Sequence, residues 1–370
     1  MNIGFDAKRA MMNKTGLGNY SRSVIHALST NFPSHQYYLY SPAPKHQLFE
    51  NGSSNIHFEH PTSWHKLASS LWRSNFMVNQ FDAKKLSVYH GLSNELPFSI
   101  SKFKGKKIVT IHDLIFLRYP TWYPYLDRKI YELKFETACK NADIIVAISQ
   151  QTKIDIVNYF KIDDSKIEVV YQNCAHSFKQ FKKSTELDAV NKKYNLPAQF
   201  LLYVGTISER KNLLNLIKAI ELLPTTISIP LVVLGNGNKY LNLVKNYIQS
   251  KKIKSIYFLP NADFSDFAAI YQQATCFIYP SFFEGFGIPI IEALYSKIPI
   301  ISSVGSCFSE AGGEHSIYIN PFKPDEIANA IENVLTDTNL KNKMIENGYA
   351  HVLQFNDKKM ATELFQIYSK

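Results

Sequence analysis

The 370-residue chain has no C-x-x-C pair, no D-x-D triplet, no His-x-x-x-His spacing and no apolar run near the ~18 residues of a membrane span. Each absence removes a class. Its four cysteines, Cys139, Cys174, Cys276 and Cys307, are scattered, which argues against a disulfide scaffold, a dithiol redox site or a zinc ribbon and for reduced thiols in a cytosolic protein. Without D-x-D or a Cys/His cluster there is no ready set of ligands for a metal, and no metal or other cofactor is expected. The opening MNIGFDAKRA is too short in its apolar part to read as a signal peptide, so the expected location is cytoplasmic.

Charge is also sparse, at 19% of residues, yet the balance is +10. Nucleic acid is disfavoured as a partner, because no RNP-type aromatic run, zinc-finger spacing or helix-turn-helix accompanies the charge. An anionic membrane surface fits better, since basic residues near lipid add up, and a cytoplasmic protein at the inner face of the membrane is the matching location. A Lys- and Asn-rich composition with no partner is the plain alternative. Trp64, Leu67, Ala68, Leu71 and Trp72 share one helical face beside Lys66 and Arg73; this face reads as an interfacial anchor or, as most such stripes do, as one turned to the core.

Hydrophobic residues make up 45% of the chain, the share of a folded globular protein. The length suits two domains. Short apolar runs alternate with helical patterns twice over, which predicts α/β architecture with parallel sheets. In the first half the expected strands are MNIGFDA and residues 37–40, 56–59, 88–90, 108–111, 144–148 and 167–171. In the second they are residues 200–204, 230–234, 255–259, 276–279, 299–302 and 316–319. Between the halves, residues 176–199 read as a polar linker with one short helix near 185–194. The predicted domains are therefore 1–175 and 200–355, with a terminal helix in 356–370. Ligands of such sheets bind at a crevice, here between the halves.

The chemistry concentrates in residues 281–294, SFFEGFGIPIIEAL. A strand stops at Pro280; Glu284 follows in the loop, then Gly285, Phe286 and Gly287, then a helix with Pro289 in its first turn and Glu292 beyond. Backbone N–H groups at a glycine-rich helix start attract anions, and carboxylates accept from hydroxyls. A ligand carrying both phosphate and hydroxyl groups suits that corner. The second half opens on LLYVGTISERKNL, where Arg210 and Lys211 stand before a helix. Two cations there oppose the dipole and need a nearby anion. In the first half, VTIHDL ends a strand on His112, and TGLGNY sets Gly16 and Gly18 in a loop before a helix predicted over 19–29.

Residues 284–293, EGFGIPIIEA, resemble the E-x7-E signature of the family 4 retaining glycosyltransferases, whose fold is GT-B: two Rossmann-like domains facing each other across a cleft, the C-terminal helix crossing back to the N-terminal one. The segment from Gly205 resembles that family's pyrophosphate-binding stretch, G-R-x(4)-K-G. Lys211 matches its lysine, Thr206 replaces its arginine, and Arg210 supplies the second cation as in the RKN variant of mannosyltransferase-like members. VTIHDL is similar to the family's strand end near the donor sugar, TGLGNY to its first glycine-rich loop, and residues 303–314 to its P-E-x-x-G loop, with Ser309 for proline and Glu310 retained. Residues 153–173 follow the end of the family's first domain, with Asn173 for glycine in a left-handed turn.

The resemblance implies a metal-independent hexosyltransferase, mannose favoured, acting on a nucleotide-diphosphate sugar and a glycan or lipid-linked acceptor in bacterial surface polysaccharide synthesis. It assigns the acceptor to the first domain and the donor to the second. His112, Glu284, Arg210 and Lys211 become the catalytic set. Gly16, Gly18, Gly205, Gly285, Phe286, Gly287, Ile288 and Glu292 join Arg210, Lys211 and Glu284 at the donor. The alternatives are a GT-B sugar-nucleotide epimerase or phosphorylase, which the EGFG block with RKN fits less well, and a non-catalytic basic binding protein.

Overall fold

In the computed structural model, which describes residues 1–42, 48–49, 53–61 and 69–370, the apolar runs form two parallel sheets in two compact units. Met1–Asn173 and Phe355–Lys370 make the first unit, and Cys174–Gln354 the second. The first sheet has β1 (Asn2–Asp6), β2 (Gln36–Tyr40), β3 (Ile56–Glu59), β4 (Val88–Gly91), β5 (Lys106–Ile111), β6 (Ile144–Ala147) and β7 (Ile167–Val169), in the order β3-β2-β1-β4-β5-β6-β7. The second has β8 (Leu201–Val204), β9 (Leu231–Leu234), β10 (Ile256–Leu259), β11 (Cys276–Tyr279), β12 (Ile300–Ser303) and β13 (Ile317–Ile319), in the order β10-β9-β8-β11-β12-β13. Every predicted strand is present. Each order reverses once, at β1/β4 and at β8/β11, the doubly wound arrangement in which ligands bind beyond the strands' C-terminal ends at the reversal.

Burial explains why these runs become strands. β8, β9 and β11 are buried at every position, as parallel strands covered on both faces must be. Leu216 and Ile217 of the helix Leu213–Glu221 pack on Leu201, Tyr203, Leu231 and Val233 in the core of the second unit.

The terminal helix Asp357–Ser369 belongs to the first unit and packs on the helix Gly16–Asn31. Phe365 stacks on Phe32 at 4.2 Å, and Tyr368 Oη lies 2.7 Å from Nδ1 of the buried His90. Asn356 caps its start by accepting from the Lys359 N–H at 2.9 Å.

Three expectations change, and one open alternative is decided in part. The helix predicted from residue 19 begins at Gly16, so both glycines lie in its first turn instead of a loop. A Cβ on Gly18 would stand 1.9 Å from the Asn13 carbonyl oxygen, whereas Gly16 faces open space; close backbone packing accounts for Gly18 but not for Gly16. Residues 176–199, expected as a linker, fold onto the second unit: the helix Ser184–Tyr194 buries Val190, and Lys193 reaches Asp266 at 2.7 Å. Its polar surface concealed that single apolar anchor. Asn173 does not adopt the left-handed backbone expected of it; its side-chain amide donates to Asp357. Of the apolar face around residues 64–72, Trp64, Leu67 and Ala68 lie outside the described residues, while Trp72 is buried beside Tyr40 and Phe81. Trp72 is a core residue, the reading most such stripes take, whereas Leu71 of the same stripe is 47% exposed.

Candidate active site

The reversal at β8/β11 sets the two loops that carry the second unit's charged groups side by side. After β8, Gly205 takes φ +137°, open to glycine at little cost. Residues Glu209–Lys211 form one 3-10 turn, and Asn212, left-handed at φ +59°, redirects the chain into the helix Leu213–Glu221. Asn212 is buried and its amide donates to the carbonyls of Pro280 (3.0 Å) and Pro321 (2.7 Å), tying this turn to the loop after β11.

That tie brings Arg210 and Lys211 to Glu284. Arg210 Nη1 is 2.6 Å from Glu284 Oε2, and Lys211 Nζ is 2.7 Å from Oε1. Lys211 Nζ also donates to the hydroxyl of Tyr279, the last residue of β11. The anion that two adjacent cations require is thus the Glu284 carboxylate. Burial pushes that carboxyl up, but Lys211 and Arg210 overcome it and hold its pKa at about 2. Burial lowers the Lys211 ammonium, Glu284 opposes the fall, and Arg210 adds to it.

The loop then reaches Gly287, at φ +106°, which starts the helix Ile288–Tyr295. Pro289 supplies no N–H in the first turn. Ser306 holds the loop from outside: its hydroxyl donates to the Glu284 carbonyl at 2.9 Å. The Cys307 thiol lies 2.9 Å from the Phe286 carbonyl oxygen. Glu292, farther along the helix, is buried and accepts from the Tyr271 hydroxyl at 2.9 Å. Burial raises its carboxyl to about 7, with Tyr271 and Lys211 pulling the other way.

His112 belongs to the first unit and follows β5. Its backbone N–H donates to Asn94 Oδ1 at 2.7 Å, and its Nε2 lies 2.9 Å from the Leu92 carbonyl oxygen. A carbonyl only accepts, so Nε2 carries the proton and Nδ1 keeps a lone pair. Burial lowers the ring's pKa to about 4, the Leu92 contact partly opposing it. The imidazole is therefore neutral at pH 7. Tyr20 meets it edge-on at 4.7 Å, and Asp113 accepts from the Ile115 N–H at 3.2 Å, capping the next turn.

Arg210, Lys211, Gly205, Glu284, Gly285, Phe286, Gly287, Ile288 and Glu292 all fall within the second unit; Gly16, Gly18 and His112 fall within the first. Sequence reading missed Tyr279, Tyr271, Asn212 and Ser306. Only Tyr279 carried a signal, its place at the C-terminal end of a strand. Among the described residues, no group of three or more His, Cys, Asp or Glu is placed to hold a metal ion.

The model for glycosyltransferase family 4 matches residues 15–172, and that for group 1 glycosyl transferases matches residues 185–351. The chain is a family 4 glycosyltransferase. The O-antigen chain mannosyltransferase B of Escherichia coli is 26% identical over 288 residues, which cover 76% of this chain and 74% of that one. Among solved structures, sucrose-phosphate synthase from Thermosynechococcus elongatus superposes with a TM-score of 0.80 at 19% identity, covering 100% of this glycosyltransferase and 98% of the other chain. HepE of Anabaena, solved with UDP-glucose, gives 0.77 at 13% identity, covering 100% and 99%. The fold of this glycosyltransferase is GT-B, with two Rossmann-like domains, as the motifs implied.

The buried carboxylate of Glu292 makes stability depend on pH in a definite direction. Its folded pKa of about 7 exceeds the usual 4.5. Between those values the native protein retains a proton that the unfolded chain has released, so stability from this group is lost as pH rises. His112 and His90, held near 4 and 3, act oppositely, losing stability as pH falls below 6.5. The difference between wild type and Glu292→Gln isolates the carboxylate. Denaturant melts from about pH 4.5 to about pH 8 should show the variant gaining on wild type by about 3 kcal/mol. A gap independent of pH would show that Glu292 titrates as an ordinary carboxyl.

Proposed function

We propose that this glycosyltransferase moves a hexose, with mannose favoured, from a nucleoside-diphosphate sugar to a glycan or lipid-linked acceptor with retention of anomeric configuration. Assembly of a bacterial surface polysaccharide on the cytoplasmic side of the membrane is the proposed setting, with the acceptor on the first domain and the donor on the second. The observation that carries this reading is the Arg210–Glu284–Lys211 cluster at the β8/β11 reversal, beside the start of the helix Ile288–Tyr295. Two cations and a helix start answer a diphosphate; two buried carboxylates answer hydroxyls. The kinship with a mannosyltransferase favours mannose.

In this reading the acceptor oxygen attacks the anomeric carbon from the face the diphosphate leaves. The carbon–oxygen bond to phosphate breaks, the new glycosidic bond forms, and the acceptor proton passes to the departing phosphate oxygen. Arg210, Lys211 and the helix start stabilise the charge that develops there, as preorganised donors do in a dry site. Each oxygen of Glu284 keeps a lone pair beyond its ion pair, so it can still accept from a hexose hydroxyl. Glu292 takes the ribose hydroxyls. Neutral His112 accepts from a sugar hydroxyl through Nδ1. Gly16, in open space in the first turn of its helix, leaves room for the diphosphate or acceptor.

A melting-temperature panel of GDP, UDP, ADP and their sugars tests the donor assignment. A ligand at a hundred times its Kd stabilises by about 2.7 kcal/mol, so GDP and GDP-mannose should raise the transition by several degrees. GDP-mannose should then be consumed only with acceptor present, and equally with chelator. No response to any nucleotide would end the reading. Loss of turnover on chelation would end its metal-independent form, and conversion without acceptor would indicate an epimerase.

A further inference from the structure

A buried chain of polar groups crosses the core of the first unit, from the terminal helix to the strand that ends at His112. The Tyr368 hydroxyl, in the last turn of the helix Asp357–Ser369, lies 2.7 Å from His90 Nδ1. Across the ring, His90 Nε2 lies 2.8 Å from Thr110 Oγ1. Thr110 Oγ1 is in turn 3.1 Å from the Tyr20 hydroxyl, and the Tyr20 ring meets His112 edge-on. His90 belongs to β4, Thr110 to β5 just ahead of His112, and Tyr20 to the helix Gly16–Asn31. All five side chains are buried.

The links constrain one another. Burial, with His112 adding to it, lowers the His90 pKa to about 3, so the ring is neutral at pH 7. A neutral imidazole has one N–H, and its two nitrogens therefore play opposite roles. Whichever of the Tyr368 and Thr110 hydroxyls donates to the ring, the other accepts from it. The orientation of the Thr110 hydroxyl, and with it the seat of the Tyr20 phenol, follows from what Tyr368 does.

The terminal helix does not need this chain for its anchorage. Met360, Ala361, Leu364 and Ile367 are buried, and Phe365 stacks on Phe32. Lys106, at the start of β5, donates to the carbonyls of Ile367 at 3.4 Å and Tyr368 at 3.2 Å. Apolar residues in place of Tyr368 and His90 would fill the same space without setting polar groups in a low dielectric, where each unsatisfied member is costly. What the polar version adds is direction, since hydrogen bonds fix angles that apolar contact leaves free.

We propose that Tyr368 is a positioning residue for sugar transfer, its hydroxyl fixing the seat of the His112 ring through His90, Thr110 and Tyr20. The inference rests on the place of His112 in the proposed transfer. A displaced terminal helix would then leave His112 out of place while the donor-binding unit stays intact.

Tyr368→Phe is the test, with transfer from GDP-mannose read beside the melting-temperature response to GDP. The expected result is a fall in kcat of about tenfold, the donor KM and the GDP response being unchanged. Thr110→Val breaks the chain one link farther on and should give the same loss, whereas Thr110→Ser should keep the wild-type rate. In the His112→Ala background, Tyr368→Phe should change the residual rate by less than about twofold, because the group it positions is gone. An equal loss in both backgrounds would mark a merely structural effect and overturn the proposal, as would wild-type kcat in folded Tyr368→Phe. A readout without turnover separates this inference from the reaction itself. The ring resonances of His112, assigned by their absence from His112→Ala, should shift in Tyr368→Phe. Unmoved resonances overturn the positioning role, whereas a wild type without transfer but with the shift intact overturns the proposed reaction alone.

Discussion

Lys211→Met lowers transfer by about 10²–10³-fold while the second unit keeps its fold, which is the expected cost of removing one preorganised donor from the site of developing charge. Methionine preserves most of the buried stem and removes only the ammonium. Two interactions disappear with it, the ion pair to Glu284 at 2.7 Å and the hydrogen bond to Tyr279, and they bound the stability cost. Breaking a buried pair costs about 3–5 kcal/mol when the remaining charge has no other partner. Here Arg210 still holds Glu284 at 2.6 Å, so the loss should fall below that range. The kinetic effect should appear in kcat more than in KM, because the leaving diphosphate carries more charge in the transition state than in the bound donor. Near-normal kcat in a folded variant would remove Lys211 from the catalytic set.

Glu284→Gln should separate binding from transfer. The carboxylate pairs with both cations, one negative charge against two positive, and a diphosphate arriving there meets a negative charge already in place. Two unit charges about 6 Å apart interact by about 3 kcal/mol at an effective dielectric of 20. Removing one should therefore tighten free nucleoside diphosphate by roughly tenfold or more. Glutamine satisfies one cation through its carbonyl and offers the other only an N–H, so the pair is left open to the phosphate. Sugar transfer should fall by about 10³-fold with loss of the ion-paired acceptor that orients the hexose. Calorimetry with GDP and a transfer assay on the same preparation read both numbers. Weaker diphosphate binding would show that Glu284 serves the diphosphate by positioning the cations. A glycosyl adduct trapped on Glu284 in the wild type would make it a covalent nucleophile and overturn same-face attack.

Two parallel sheets were readable because fully buried strands can be built from little else than runs such as LLYV, LVVL and CFIY, and each run ends at a glycine, proline or polar residue. The glycine-rich helix start and its two glutamates were readable for a related reason: a tight strand-to-helix turn, with Gly287 at φ +106°, requires small residues at fixed offsets. Helix starts were less legible. Gly16 and Gly18 read as loop residues because glycine disfavours helix. Their place in a first turn depends on how closely Gly18 fits against the Asn13 carbonyl, a backbone approach that no propensity encodes. The polar surface of the helix Ser184–Tyr194 hid its attachment, which one buried valine and a few ion pairs secure.

Local pattern thus settled which segments are strands, where the glycine-rich strand-to-helix turn lies and that Arg210 and Lys211 need an anion. Its identity came from packing. Glu284 is 73 residues beyond Lys211, and no local rule joins them; they meet because β8 and β11 are neighbours in a sheet whose order reverses there. The same holds for pKa values. Glu284 near 2 and Glu292 near 7 are the same residue type eight positions apart, and they diverge because burial acts on both, while Arg210 and Lys211 are ion-paired to Glu284 and Lys211 is only the weakest influence on Glu292.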